Sequence, residues 1–237
     1  MTEVLLLHAG VADGRMWAAQ LDALCAAGHE PLAPDLPGWG TEALRPGRVS
    51  YVEHVAALLD GPAAVVGCSF GGRVALELAV ERPELVERLV LVSPALPGWE
   101  WSERVQAANA AEDEALDRGD LKGAAEANMI WVGPGADDAV RTLVRAMVVR
   151  NFEHVLPVYE AVEVVAVDPP ASERLAEIRV PTLVVIGGAD VPDSTAIAGV
   201  LAAGIADARV ETIDGAGHLP SLERPDELNR LLLEFLQ

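Results

Sequence analysis

The residues whose types and spacing are best suited to chemistry are Gly67-Cys68-Ser69-Phe70-Gly71. They follow an apolar run, Ala63 to Val66, and open a stretch of helical spacing at Gly72-Arg73. A serine between two glycines on a tight strand-to-helix turn has its hydroxyl pushed out at the carboxyl edge of a sheet. Side chains in place of the glycines would clash with the neighbouring strand and helix. The helix N-terminus adds partial positive charge where an oxyanion would form. G-x-S-x-G alone is a weak signal; the strand before it and the helix after it sharpen it. A serine hydroxyl is a poor nucleophile without a base. His218 is the candidate, in the loop Asp214-Gly215-Ala216-Gly217-His218-Leu219-Pro220 just past the last strand-like run. The acid that would orient it is Asp190, after Thr182 to Ile186 and Gly187-Gly188-Ala189. Its task is to accept the Nδ1 proton of the imidazole and leave Nε2 facing Ser69. Asp193 and Asp168 are rivals for that place. Asp193 lies three residues deeper, where it suits the cap of the following helix, and Asp168 would require a rearranged triad.

These three side chains are far apart along the polypeptide, so a sheet must bring them together. Six runs read as strands: 3–8, 29–34, 63–67, 87–93, 181–187 and 208–213. The third, fourth and fifth are continuously apolar, as expected of strands covered on both faces. Helical spacing between them falls at about 15–27, 50–60, 70–82, 193–204 and 225–236. In the last, Pro225 suits the first turn, Asp226 and Glu227 suit its dipole, and Leu228, Leu231, Leu232 and Phe235 form one stripe. Alternating strand and helix predict an α/β fold with a mainly parallel, doubly wound sheet of about six strands. The alternation breaks after Pro94 and Pro97, where the chain turns Ala-, Glu- and Arg-rich with helical periodicity up to Asp168-Pro169-Pro170. Residues 1–96 and 171–237 are therefore expected to form the core, and 97–170 a helical lid.

Composition narrows the ligand. Seventeen basic residues against 37 acidic ones give a net charge of −20, which repels nucleic-acid backbones and anionic membrane surfaces. No apolar run reaches the ~18 residues that span a bilayer, and the N-terminus lacks the basic region and length of a signal peptide. A cytoplasmic protein, a monomer or homodimer, is the expectation. Two cysteines, Cys25 and Cys68, make no disulfide framework, and five scattered histidines support no metal site. Cys68 reads as a small buried residue beside the exposed apex of Ser69.

The chain order Ser69, Asp190, His218 is the one the α/β-hydrolase fold uses, unlike that of the chymotrypsin or subtilisin types. Three further motifs carry the resemblance across nearly the whole chain. His8-Ala9-Gly10, with Trp17 nine residues after the histidine, resembles the HG-x oxyanion loop of lid-bearing α/β hydrolases. Asp35-Leu36-Pro37-Gly38-Trp39-Gly40 resembles their D-x-x-G-x-G turn, and Gly217-His218 with Glu223-Arg224-Pro225 their C-terminal histidine loop. The resemblance implies oxyanion donors at the backbone N–H groups of Gly10 and Phe70, each worth ~3–4 kcal/mol in the transition state. Ala9 stands where that family usually has glycine, which leaves Gly10 and Val11 both open as the second donor, beside Phe70. The two leading strands common in the family are not seen, since the chain begins in what would be the third. His8 is expected to brace the oxyanion loop rather than to react.

The reading is a serine hydrolase, without cofactor, that cleaves a small or medium carboxylic ester or lactone through an acyl-enzyme. The lactone is a sub-hypothesis suggested by bacterial relatives that look like enol-lactonases. Trp99 and Trp131 of the lid, with Leu219 beside the histidine, are candidate substrate contacts in an apolar pocket. Carbon–carbon bond hydrolysis, or a cofactor-free lyase or cyclase reaction, would use the same fold and triad. A binding protein with an idle triad is the alternative outside catalysis; the intact Ser, Asp and His argue against it.

Overall fold

The strand-like runs assemble in one layer. The computed structural model describes residues 2–237, with strands β1 (Glu3–Leu7), β2 (Glu30–Leu32), β3 (Gly47–Val49), β4 (Ala63–Cys68), β5 (Val86–Val92), β6 (Val162–Val164), β7 (Thr182–Gly187) and β8 (Ala208–Ile213). Six of these form a sheet in the order β2-β1-β4-β5-β7-β8, and every neighbouring pair is parallel. The edge strand β2 is shorter than the expected run. Pro31 within it lacks an N–H and is tolerated where only one neighbour must be bonded.

Side chains alternate across the sheet with period two. Leu5, Leu7, Val65, Leu89, Leu91 and Val184 point to one face. There they meet α2 (Tyr51–Ala56), α3 (Phe70–Glu81) and α7 (Pro192–Gly204). Val4, Leu6, Val66, Val90, Leu183 and Val185 point to the other, against α1 (Ala18–Ala26) and α9 (Pro225–Phe235). Burying each such side chain contributes about 1.5–3 kcal/mol, so both faces drive folding. The α9 stripe Leu228, Leu231, Leu232 and Phe235 is buried as its spacing predicts. A short helix, α8 (Pro220–Glu223), precedes it.

Between β5 and β7 the chain leaves the sheet and forms α4 (Glu103–Asp117), α5 (Leu121–Ala127) and α6 (Asp138–Val155). Val144, Met147 and Val148 of α6 join the second apolar cluster, so the insertion shares the core. Its entry is fastened by Asp193. The expected helix cap is not what this residue makes. Its carboxylate accepts from the Trp99 indole (3.2 Å), the Ser102 amide (2.8 Å) and the Ser102 hydroxyl (2.6 Å). Pro192 takes the first helical position, and the Asp193 carboxylate is turned to the insertion instead. Burial pushes the Asp193 carboxyl up, but the bonds from Ser102 and Trp99 outweigh it and hold it below the usual range. The insertion's exit is fastened by a feature that the sequence reading did not anticipate: β3 and β6 pair in parallel as a separate two-stranded sheet.

Candidate active site

The turn from β4 to α3 has the form that the two glycines require. Ser69 sits at φ 51°, ψ −113°, a conformation that costs a non-glycine residue of order 1–3 kcal/mol. Its backbone is over-determined. The amide donates to Val92 O at 3.0 Å, and the carbonyl accepts from Arg73 at 2.9 Å and Ala95 at 3.0 Å. A side chain on Gly71 would run into the Leu7 carbonyl of β1, and one on Gly67 into the backbone of Gly71. The serine is thus held at the carboxyl edge of the central strands, partly exposed, while Cys68 behind it is fully buried. Burial pushes the Cys68 thiol well up, aided by the Asp190 and Glu223 carboxylates, so it is no nucleophile.

His218 and Asp190 meet at the same edge. The imidazole Nδ1 lies 2.9 Å from Asp190 Oδ2 and 3.1 Å from Oδ1, and the two side chains are only 3% and 2% exposed. Since a carboxylate accepts, Nδ1 carries the proton. Burial raises the Asp190 carboxyl, but His218, Ser194 and the Val191 amide more than offset this and keep it below the usual carboxylate range. The two loops are docked to each other: Ala189 N donates to Ala216 O at 2.8 Å, and only a glycine at 187 leaves room for the Ala216–Gly217 backbone. The His218 loop also reaches the serine's neighbour, with Cys68 Sγ 3.7 Å from the His218 carbonyl oxygen. Ser69 Oγ and His218 share no hydrogen bond in this structure. What the sequence reading missed here is the work of Glu223. Its buried carboxylate accepts from Gly217 N (2.8 Å) and Leu219 N (3.2 Å), on both sides of the histidine, and from Gly133 N of the insertion (3.1 Å). The residue was visible in the C-terminal motif; its bonding was not.

The other flank of Ser69 is the loop after β1. His8 is fully buried, its Nδ1 lies 2.9 Å from Ala9 O and its Nε2 accepts from the Leu36 amide at 2.9 Å. This fixes a neutral tautomer, and burial moves its pKa below the ordinary histidine value. Trp39 donates to Gly10 O at 2.7 Å and stacks on the Phe70 ring at 5.0 Å. Gly40, at φ +54°, leaves room for the Asp35 carboxylate, which accepts from Gly14 N (2.8 Å) and Thr41 N (2.7 Å). Gly10 lies against Phe70, since a Cβ added to Gly10 would be 3.6 Å from Phe70 Cβ. Neither the Gly10 nor the Phe70 N–H is hydrogen-bonded among the described residues. An unpaired amide can receive an anionic oxygen, and Phe70 follows Ser69 directly in the chain.

Of the expected substrate contacts, Trp131 packs on the His218 ring with centroids 4.5 Å apart. Trp99 is half-buried and spends its N–H on Asp193. Leu219 is fully buried in the apolar cluster and serves the core; its backbone, not its side chain, holds the loop. A cavity of about 560 Å³, walled by Trp39, Phe70, Phe152 and Val155 among others, opens from Gly10. No group of three or more His, Cys, Asp or Glu side chains suited to a metal occurs among the described residues. Among the described residues no helix is long and apolar enough to cross a membrane.

Known proteins resemble this chain along nearly its whole length. A proposed carbamate hydrolase, RutD, of Azorhizobium caulinodans is 31% identical over 98% of this chain and 90% of its own. A pimeloyl-[acyl-carrier protein] methyl ester esterase of Aromatoleum aromaticum is 29% identical over 99% of this chain and 98% of its own. The crystal structure of a hydrolase from Pseudomonas aeruginosa superposes with a TM-score of 0.78 at 27% identity, covering 99% of this chain and 89% of that one. The family model described as "Alpha/beta hydrolase family" matches residues 4–231, and the chain is a hydrolase of that family.

Proposed function

We propose that the protein is a serine hydrolase of small or medium carboxylic esters, with Ser69 as nucleophile, His218 as base and Asp190 as its orienting acid. One observation carries the reading. A strained serine turn and a buried histidine–carboxylate pair, 121 and 149 residues further along the chain, share one sheet edge (190 − 69 and 218 − 69). Ser69 Oγ attacks the ester carbonyl as His218 Nε2 takes its proton, and the oxyanion is received by the N–H groups of Gly10 and Phe70. The protonated imidazole, stabilised by Asp190, then gives its proton to the leaving alcohol. Water, deprotonated by the same nitrogen, releases the acid. The closing of the Ser69–His218 gap belongs to substrate binding, since such hydrogen bonds commonly tighten only in the complex. The cavity between Trp39 and Phe152 suits an apolar acyl or alcohol group. Methyl ester hydrolysis by the relative from Aromatoleum aromaticum supports the ester.

The test combines p-nitrophenyl butyrate turnover with fluorophosphonate labelling. Wild type is expected to turn over and to be labelled at Ser69, and Ser69→Ala to do neither. A folded Ser69→Ala protein that retains turnover overturns the assignment.

A further inference from the structure

A second, smaller cavity meets the first at Gly10. It encloses about 210 Å³ between the loop after β1 and the insertion, and Gly10, Val11, Glu112, Asn128, Val148 and Asn151 line it. Its volume would take a group of a few heavy atoms, since a water's share is about 30 Å³.

The polar atoms of this cavity are mostly spent. The Asn151 amide nitrogen donates to Ala12 O at 3.0 Å, and its oxygen accepts from Gly40 N at 3.2 Å. The Asn128 amide nitrogen donates to Ala124 O at 3.0 Å and to Glu112 Oε2. What is left is the other Glu112 oxygen, on a carboxylate with no lysine, arginine or histidine within ion-pair distance among the described residues. The ion pairs among the described residues are all built on other acids. Burial pushes the Glu112 carboxyl above its usual range, the Asn128 bond offsets part of this, and Asp113 adds to the rise. An unpaired, partly desolvated carboxylate is a costly group, and a cationic ligand removes that cost.

Resting on the ester-hydrolase reading above, we infer that this cavity is a subsite for a cationic amine, so that the preferred substrates are esters bearing a protonated amino group a few bonds from the scissile carbonyl. Glu112 receives the ammonium. Asn128 holds the carboxylate in place, and Gly10, the proposed oxyanion donor, lines the subsite as well. The net charge of −20 favours the approach of such a cation.

Two pairs of isosteres test the subsite from either side of the ester. On the alcohol side, 2-(dimethylamino)ethyl butyrate is compared with 3-methylbutyl butyrate. On the acyl side, ethyl 3-(dimethylamino)propanoate is compared with ethyl 4-methylpentanoate. At pH 7.5 at least one amine is expected to exceed its carbon isostere in kcat/KM by about tenfold or more, the scale of a charged hydrogen bond. Glu112→Gln keeps an oxygen for Asn128 and is expected to bring that ratio to about one. A ratio near one in wild type for both pairs, or a ratio unchanged in Glu112→Gln, overturns the subsite.

Binding without turnover separates this inference from the reading beneath it. In the Ser69→Ala protein, 2-(dimethylamino)ethanol at millimolar concentration is expected to raise Tm, and 3-methylbutan-1-ol not to, with the difference gone on adding Glu112→Gln. If esters are cleaved without Ser69 but this difference persists, the mechanism falls and the subsite stands. If ester cleavage depends on Ser69 and neither alcohol shifts Tm selectively, the mechanism stands and the subsite falls.

Discussion

Two fully buried histidines stand at the same edge of the sheet, and only one has a nitrogen to spare. His8 uses both ring nitrogens, one toward Ala9 O and one toward Leu36 N, and so ties the loop after β1 to the turn after β2. His218 uses only Nδ1, on Asp190, and its Nε2 has no partner among the described residues. Burial therefore does not tell the two imidazoles apart; the count of unpaired nitrogens does. The neighbourhoods agree. His8 is enclosed by backbone, whereas His218 is bracketed by loops that hold it at the rim and by Trp131.

The comparison is broken most sharply at Asp190. Asp190→Asn preserves size but offers the imidazole an amide, which favours the tautomer with its proton on the wrong nitrogen. A loss of about 10⁴-fold in kcat is expected, from the behaviour of such triads, with the fold intact by circular dichroism. Asp193→Asn, three residues on, is expected to leave kcat within a few-fold and to lower Tm, because its partners are Trp99 and Ser102 rather than a histidine. Equal losses of kcat in both variants would mean that the two carboxylates are not divided in this way.

A smaller effect sharpens the same contrast from below. Glu223 grips the amides on either side of His218, so its loss should move the imidazole rather than remove it. Glu223→Gln puts an NH2 group against amide donors and forfeits at least one bond. A fall in kcat of about 10- to 100-fold with little change in KM is expected, the scale of a charged hydrogen bond. If instead Tm drops while kcat holds, Glu223 merely stabilises the loop and does not position the base.

These residues also show how far a sequence can be read. The strands and helices that position the site were legible because their apolar periodicity is long and both sheet faces are buried, as in β4, β5 and β7. That Ser69, Asp190 and His218 would lie at one edge of the sheet was legible because each follows a strand of it, β4, β7 and β8. β3 and β6 were not, since three largely exposed residues apiece carry no periodicity and their pairing joins positions over a hundred residues apart. Asp193 looked like a cap because helix-start position is local information, whereas its partnership with Trp99 and Ser102 is tertiary. Leu219 was read as a substrate contact from its place beside His218, but its side chain turns into the core. Glu112 gave no signal at all, being one acid among several on an exposed-looking helix.

The smallest expected effect concerns His8, through stability rather than turnover. Its pKa in the folded protein is lowered by burial, while in the unfolded chain it is ~6.5. Below that value the unfolded state binds a proton that the folded state refuses, so stability is complete above pH ~6.5 and falls as pH drops beneath it. The limit for one group is about 1.4 kcal/mol per pH unit. Asp190, Asp193 and Asp35 have lowered folded values, so their contributions are present above ~3.9 and are lost only in more acidic solution. Between pH 8 and 5 the two sets are therefore separable. His8→Leu removes the titration but strands Ala9 O and Leu36 N, at about 1–3 kcal/mol each. Urea unfolding of both proteins at pH 8 and pH 5 is expected to show the variant less stable at pH 8, with the gap narrowing at pH 5. A gap of constant size would mean that His8 is protonated inside the fold, and its pairing to Leu36 N would have to be abandoned.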